Sequence, residues 1–144
     1  MGFEEFANFD YEIILTLLLA VGLGALIGFE RELKRRPAGL RTHMLVSLGA
    51  AIFAIVSLSF DVEPARIAAG VVAGIGFLGA GSIIAHKGHV KGITSAATLW
   101  VVASIGLSVG LGYFVIAIVS ALFVFAILRL GHFEKKFSSP EQDA

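Results

Sequence analysis

Three charged side chains of this sequence stand where two apolar stretches meet. Glu30 and Arg31 end the first long apolar stretch, and Arg41 follows a Pro-Ala-Gly turn just before the second. Because that turn sends the chain back, we expect the Arg41 guanidinium to lie within reach of Glu30. An ion pair in or beside lipid is expensive to maintain, which makes this pair a functional candidate. The alternative is a basic loop that only binds anionic headgroups.

Hydroxyl side chains open the segment GITSAATLW, residues 92–100. Thr94 and Ser95 are candidate N-caps of a helix. Together with Thr98, Thr94 could instead line the polar face of an ion path, or hydrogen-bond to a neighbouring helix. Trp100 lies deeper than an interfacial aromatic belt, so we expect it to fill space between helices.

Few other residues suggest a chemical site. Asp61 and Arg66 bracket one turn, where they could pair with each other or where the carboxylate could attract a hard cation such as Mg²⁺ through water. No spacing matches a defined metal site, and the histidines have no carboxylate or cysteine partner arranged as ligands. No nucleophile, base and oxyanion-hole set is recognisable. We therefore expect no enzymatic activity and no cofactor, and the sequence leaves any metal ligand unknown.

The composition indicates that lipid surrounds the elements carrying these residues. Hydrophobic residues make up 57% of the 144 positions and charged residues 15%, with a mean hydropathy of +0.89. A water-soluble protein of this size could not bury so much apolar surface. The chain has no cysteine, which excludes disulfides and thiolate metal sites. The first twelve residues are acidic, unlike a secretory signal, so we take the N-terminus as mature sequence.

Four stretches lack Asp, Glu, Lys and Arg and predict the membrane spans; they are 13–29, 42–60, 67–86 and 92–128. As one helix the last would be about 55 Å long, nearly twice the roughly 30 Å hydrocarbon core, so it must fold back. We expect the break at Gly110-Leu111-Gly112. The prediction is an all-α, polytopic integral membrane protein with about five transmembrane helices, at 11–30, 42–60, 66–86, 93–110 and 113–130.

The basic residues predict the orientation of these helices. Ten of the eleven Lys and Arg fall at one end of the predicted helices, called here the basic end, and only Arg66 falls at the opposite end. By the positive-inside rule the N-terminus lies outside and the C-terminus inside, in a multi-pass inner-membrane protein. Residues 1–12 are then an acidic extracytoplasmic segment, 13–130 the transmembrane domain, and 131–144 a short polar cytoplasmic tail.

The string GIGFLGAG, residues 74–81, has the spacing of a dinucleotide-binding loop. Such a site needs an acidic residue about 20 positions further on, but after Glu63 the next one is Glu134. Small residues at these spacings also let membrane helices approach closely, and this interpretation accounts for the glycines without a ligand. The glycines predicted to pack against helices are Gly24, Gly28, Gly70, Gly74, Gly76, Gly79, Gly81, Gly106 and Gly110.

Three ordered blocks resemble the signature of the MgtC/SapB family of membrane proteins; they are GFERELKRRPAGLRTHMLVSLGAA (28–51), RIAAGVVAGIGFLGAGSII (66–84) and VKGITSAATLWVVASIGL (90–107). The resemblance implies a helical inner-membrane protein linked to magnesium limitation, to inhibition of the F-type ATP synthase and to control of membrane potential. It does not imply direct Mg²⁺ transport. By matched position it implies functional roles for Glu30, Arg31, Arg41, Thr42, Arg66, Gly76, Gly79, Gly81, Thr94, Ser95 and Trp100.

The chain departs from this family pattern in two places. Many members carry a soluble ACT-like domain after the last helix, whereas a short tail follows Arg129 here, so we expect the transmembrane domain alone. Gly70 stands where the family is expected to have Gln, which makes a polar path through the third helix less expected.

Two functional hypotheses follow. The first is a membrane regulator that adjusts ion or proton energetics under low Mg²⁺ through helix contacts with another membrane complex, such as an F-type ATP synthase. The second is a small cation (Mg²⁺) channel or transporter, built as a homo-oligomer because five short helices leave little room for a pore. Both have the lipid bilayer as a partner, and neither involves nucleic acid.

Overall fold

The chain forms five helices and a short hairpin in the computed structural model, which describes residues 3–59, 64–86 and 89–137, with side chains described for 11–59, 65–83 and 90–130. The predicted all-α fold with five helices is confirmed. The helices are α1 (Phe3–Leu33), α2 (Leu40–Ser57), α3 (Pro64–Gly81), α4 (Ile93–Gly110) and α5 (Phe114–Phe137), and the strands are β1 (Ile84–His86) and β2 (His89–Lys91).

The lengths of the helices fit a membrane protein. Three helical segments within the described ranges are long and apolar enough to cross a membrane, namely Tyr11–Leu33, α2 and α4. Shorter apolar segments lie at Ala65–Gly81 in α3 and Phe114–Leu130 in α5. The helix that contains residues 3–12 is continuous with the first span, and α5 continues past residue 130 to Phe137.

The third helix ends earlier than the sequence predicted. Instead of continuing to residue 86, α3 stops at Gly81, and β1 and β2 pair antiparallel with Ala85 opposite Val90. The Ser82 hydroxyl donates to the Gly79 carbonyl at 2.8 Å, which satisfies a backbone group at the helix end. Gly92 then starts α4 with a φ of +98°, and a Cβ there would overlap the Ser82 carbonyl oxygen. Only glycine fits this junction without strain.

The break between α4 and α5 lies where the sequence predicted it. Gly112 has a φ of +82°, and the Tyr113 amide donates to the Ser108 carbonyl at 2.8 Å. The Gly112 amide donates to Val109, which completes a Schellman cap. The same hydrogen-bond pattern ends α1, where Arg35 takes the left-handed position with a φ of +49°.

The second helix lies between α1 and α4, and glycines on both neighbours make the close approach possible. A Cβ on Gly24 would lie 2.7 Å from the His43 carbonyl oxygen, and one on Gly28 would lie 2.8 Å from the Leu40 Cα. On the other side, a Cβ on Gly106 would overlap the Ser47 carbonyl oxygen, and one on Gly110 would lie 2.5 Å from the Ala51 carbonyl. These four glycines therefore bring helix backbones into contact, as membrane helices require.

The glycines of α3 differ from this pattern. A Cβ on Gly79 would meet Ala96 of α4 at an ordinary 3.6 Å, whereas Gly70, Gly74, Gly76 and Gly81 have no neighbouring heavy atom within 4 Å of that position. The expectation that all five pack closely against other helices of the chain is wrong for these four among the described residues. These four glycines are exposed, whereas Gly79 is buried against α4.

Candidate functional site

A cluster of buried polar side chains lies at the basic end, where α1 ends and α2 and α4 begin. Glu30 and Arg31 are 4% and 3% exposed although both are charged. The Arg31 Nη2 donates to the Ser95 Oγ at 3.0 Å, and its Nη1 lies 3.9 Å from the Glu30 Oε2. These contacts join residues that are far apart in sequence, in two helical segments that are long and apolar enough to cross a membrane.

His43 extends the cluster across α2. Its Nδ1 donates to the Gly39 carbonyl at 2.8 Å, and its Nε2 lies 3.2 Å from the Thr98 Oγ1. The Thr98 hydroxyl also lies 2.8 Å from the Ser95 carbonyl. A hydroxyl has one proton, so it either donates to a neutral His43 or donates to Ser95 and accepts from a doubly protonated His43. The protonation of His43 therefore decides which of the two hydrogen bonds Thr98 donates.

Lys34 closes the cluster towards α5. Its Nζ forms an ion pair with the Glu30 Oε1 one helical turn back and donates to the Leu128 carbonyl at 2.9 Å. The contact with Glu30 is an ion pair without hydrogen-bond geometry, and the Glu30 Oε2 and Arg31 Nε have no hydrogen-bond partner among the described residues. One carboxylate thus faces two cations, and four helices meet at this cluster.

The loop between α1 and α2 is held by a capping carboxylate. The N-cap residue of α2, Gly39, has no side chain that could accept a hydrogen bond from the first turn. The Glu32 Oε2 takes this role and accepts a hydrogen bond from the Leu40 amide at 3.0 Å. A Cβ on Gly39 would overlap this carboxylate oxygen. Glu32 therefore holds the start of α2, whose first turn carries Arg41.

The structure brings together only some of the residues that the sequence singled out. Glu30, Arg31, Ser95 and Thr98 belong to the buried cluster. The expected pairing of Arg41 with Glu30 is not present. Arg41 is exposed, and the described ion-pair partners of Glu30 are Arg31 and Lys34. Lys34, just past the end of α1 and four residues after Glu30, and the adjacent Arg31 reach the carboxylate without crossing the loop.

The remaining predicted residues lie outside the cluster. Thr42, Arg66 and Thr94 are exposed, and Asp61 lies outside the described residues. Neither Thr94 nor Ser95 caps α4, whose N-cap is Gly92. Trp100 is 49% exposed, so the expectation that it fills space between helices is wrong. Its indole faces outwards because the smaller Leu99, Val102 and Ala103 take the inner positions of α4.

Sequence reasoning missed three members of this region. The sequence analysis singled out none of His43, Lys34 and Ser47, although the buried Ser47 hydroxyl donates to the Ala20 carbonyl at 2.7 Å. A signal for His43 and Ser47 was their spacing of four residues, which places both on one helix face. That face is the one that packs against Gly24 and Gly28.

The chemistry of the cluster is that of a fixed charge network. No group of three or more His, Cys, Asp and Glu side chains that could hold a metal ion occurs among the described residues. Breaking a buried ion pair by removing one partner is strongly destabilising, so the cluster ties the helices together at the basic end.

Comparison with known proteins places this geometry in a family. Residues 17–137 match the MgtC family. The chain is 48% identical to Protein MgtC of Salmonella typhimurium over 84% of this chain and 52% of that protein, and 49% identical to Protein MgtC of Brucella abortus over 75% and 46%. It is 42% identical to YhiD of Escherichia coli K12, which is named as a proposed magnesium transporter, over 83% and 60%. The chain thus spans about half the length of these relatives. No solved structure matches it.

Proposed function

This chain belongs to the MgtC family, and from that premise we propose that it is a membrane regulator of ion and proton energetics under magnesium limitation. It acts through helix contacts with another membrane complex, such as an F-type ATP synthase. Its relation to MgtC and YhiD supports a magnesium-linked membrane protein. The proposal further takes the N-terminus as outside and the C-terminus as inside an inner membrane, and it requires no enzymatic turnover.

The closed interior of the protomer carries the proposal. Beyond Ser47, the contact between α2 and α4 is made by Ala50, Ala51 and Ala54 against Val102, Ala103, Ile105, Gly106, Val109 and Gly110. Small and aliphatic residues packed at this distance leave no room for a hydrated ion and offer it no ligand. Among the described residues the buried charged side chains, Glu30 and Arg31, both lie at the basic end. This arrangement favours action by contact over conduction through one protomer.

The outer surface supports contacts with a partner helix. Along α5, Val115, Phe123 and Ile127 are 75%, 66% and 63% exposed. In lipid such side chains are free to pack against another membrane protein at little cost, since they exchange one apolar neighbour for another. The α5 surface is therefore the proposed contact face.

Proton pumping tests the regulator. Inverted membrane vesicles that contain an F-type ATP synthase are compared with and without this chain, and ATP-driven acidification is followed with a quenched dye. We expect slower acidification when the chain is present at the same synthase content. Phe123→Ala on the contact face should restore pumping, whereas Phe29→Ala, an exposed position on α1, should not. Equal pumping with and without the chain, at verified membrane levels, contradicts the proposal.

A second candidate function is an oligomeric Mg²⁺ channel or transporter. The name of the YhiD relative favours it, and the closed protomer would require the path to lie between copies in a homo-oligomer. Purified protein in liposomes loaded with a Mg²⁺-sensitive dye decides between the two. Under the regulator proposal the signal equals that of protein-free liposomes. Influx proportional to the amount of protein, and lost when the membrane potential is dissipated, establishes transport instead.

A further inference from the structure

An open apolar groove of about 750 Å³ lies between α2 and α3, with α4 at its base. Its walls are residues 42–53 of α2 and residues 67–78 of α3, and Ala103 of α4 contributes to the base. Gly49, Gly70 and Gly74 line it without any neighbour at their Cβ positions, so the groove is wide where these glycines lie. Its volume lies in the range of ligand pockets.

Apolar matter must fill this groove in a membrane. Among the lining residues Thr42 has the only polar side chain, and the groove is open along its side. Water inside it would find almost no hydrogen-bond partner, and an empty space would forfeit dispersion contacts. Its occupant is therefore a lipid chain or a protein helix.

The length of the groove favours a lipid chain. Residues 42–53 rise about 16 Å along a helix, and so do residues 67–78. One leaflet of the hydrocarbon core is about 15 Å thick, half of roughly 30 Å. A transmembrane helix of a partner needs a seat about twice as long, whereas an acyl chain that enters from one surface needs about this length.

The charge at the mouth of the groove selects the headgroup. The groove begins at Thr42 in the first turn of α2, at the basic end, and the neighbouring Arg41 is exposed and makes no described ion pair. Lys91 in β2, between α3 and α4, is also exposed at this end. The Leu40 amide at the start of α2 already donates to Glu32, so it is not available to a phosphate. The groups that remain for a phosphate at the mouth are the Arg41 guanidinium and the Thr42 hydroxyl. These groups complement an anionic headgroup.

We propose that this groove holds one anionic phospholipid, with an acyl chain between α2 and α3 and its phosphate at Arg41 and Thr42. The site is independent of the proposed regulatory function. It also gives Arg41, Gly70 and Gly74 a role that no contact within the described part of the chain supplies.

Native mass spectrometry of the full chain in non-ionic detergent tests the proposal. The protein is titrated with phosphatidylglycerol or with phosphatidylcholine of the same acyl chains, and the bound molecules are counted. We expect one phosphatidylglycerol to bind at least fivefold more tightly than phosphatidylcholine. Arg41→Gln should weaken that binding about fivefold, since one basic residue near the surface contributes about 1 kcal/mol. The control is Arg129→Gln, an exposed arginine of α5 at the basic end, which should leave phosphatidylglycerol binding unchanged.

A second pair of variants separates the groove from the general lipid surface. Gly74 has an open Cβ position in the groove, so Gly74→Leu should occupy the groove and abolish the bound phosphatidylglycerol, whereas Gly22→Leu, at an equally open Cβ position on α1, should not. Trp100, the single tryptophan, lies one turn from Ala103 on α4. Brominated phosphatidylglycerol should therefore quench its fluorescence in the wild type more than in Gly74→Leu.

Several outcomes overturn the proposal. Equal binding of the two lipids, equal weakening by Arg41→Gln and Arg129→Gln, or equal loss in Gly74→Leu and Gly22→Leu would each show that the groove selects no lipid. Displacement of the bound lipid by millimolar inorganic phosphate would show a phosphate site that does not need the acyl chain. If Gly74→Leu instead converts a dimer to a monomer while lipid binding is unchanged, the groove is a seat for a second copy.

Discussion

The Arg31 Nη2 donates a hydrogen bond to the Ser95 Oγ at 3.0 Å, and this contact joins the end of α1 to the first turn of α4 across 64 residues of sequence. Both side chains are almost fully buried. A buried guanidinium N–H that loses its acceptor remains desolvated without a hydrogen bond, which is unfavourable. This contact therefore opposes separation of the two helices.

Removing the Ser95 hydroxyl should destabilise the protein. In Ser95→Ala the Arg31 Nη2 keeps its burial but loses its acceptor, and we expect a loss of about 1.5 to 3 kcal/mol in the free energy of unfolding. Titration with sodium dodecyl sulfate, followed by circular dichroism, measures this. The matched control is Thr94→Ala, one residue away and exposed, which should change stability by less than about 0.5 kcal/mol. Equal effects of the two substitutions would show that Arg31 does not depend on Ser95.

Neutralising Glu30 should be more costly. Glu30→Gln leaves Arg31 and Lys34 facing each other without a carboxylate, and we expect a loss of about 3 kcal/mol. Glu12→Gln on the exposed part of α1 should have little effect. In the double variant Glu30→Gln, Lys34→Met the loss should be smaller than the sum of the two single losses, because one uncompensated charge is gone. Strictly additive losses would argue against an interaction between these two side chains.

Adding a methyl group separates the glycines that pack closely from those that do not. Gly106→Ala places a Cβ on the Ser47 carbonyl and should destabilise the protein by about 1 to 3 kcal/mol, because helix backbones must move apart. Gly49→Ala, on a helix with open space at its Cβ, should be neutral or stabilise by up to about 1 kcal/mol through helix propensity. Thermal denaturation in detergent distinguishes them. A stable Gly106→Ala variant would mean that α2 and α4 are less closely packed than described.

The two glycines with positive φ should respond differently to alanine. Gly92→Ala meets both backbone strain and the Ser82 carbonyl, whereas Gly112→Ala meets the strain alone. We expect Gly112→Ala to cost about 1 kcal/mol and Gly92→Ala to cost more, with Gly112→Asn milder than Gly112→Ala because asparagine tolerates this conformation. Comparison of melting temperatures measures the difference. The order is wrong if Gly112→Ala proves the more damaging of the two.

The orientation can be tested because the chain has no cysteine of its own. Arg36→Cys at the basic end and Ser59→Cys at the opposite end are both exposed positions. In spheroplasts, from which the outer membrane barrier has been removed, a membrane-impermeant maleimide should label Ser59→Cys directly. It should label Arg36→Cys only after the inner membrane is permeabilised. The reverse pattern would invert the proposed topology, and labelling of both would show that the basic end does not lie inside.

The number of helices, the break before Phe114 and the placement of most basic residues at one end could all be predicted from the sequence. A long uncharged run predicts a membrane span, and a glycine that can adopt a left-handed conformation predicts a helix end. Both features are local in the chain, so they can be recognised without knowing which residues are neighbours in space. The end of α3 at Gly81 could not be predicted in this way. Ser82 and the aliphatic residues after it could equally continue an apolar helix, and the hairpin forms only by pairing with residues 89–91.

Which of these residues share a site depends on how the helices pack, and the sequence did not reveal it. Gly106 and Gly74 have the same kind of spacing in sequence, yet one touches a backbone carbonyl and the other lines an open groove. Likewise Thr98 is buried against His43 while Thr94 is exposed, and Glu30 pairs with Lys34 and not with Arg41. In lipid the outer face of a helix is as apolar as its inner face, so the sequence does not mark which side turns inwards. The rotation of each helix about its axis is settled by packing between helices, and that packing assembled the buried cluster at the basic end.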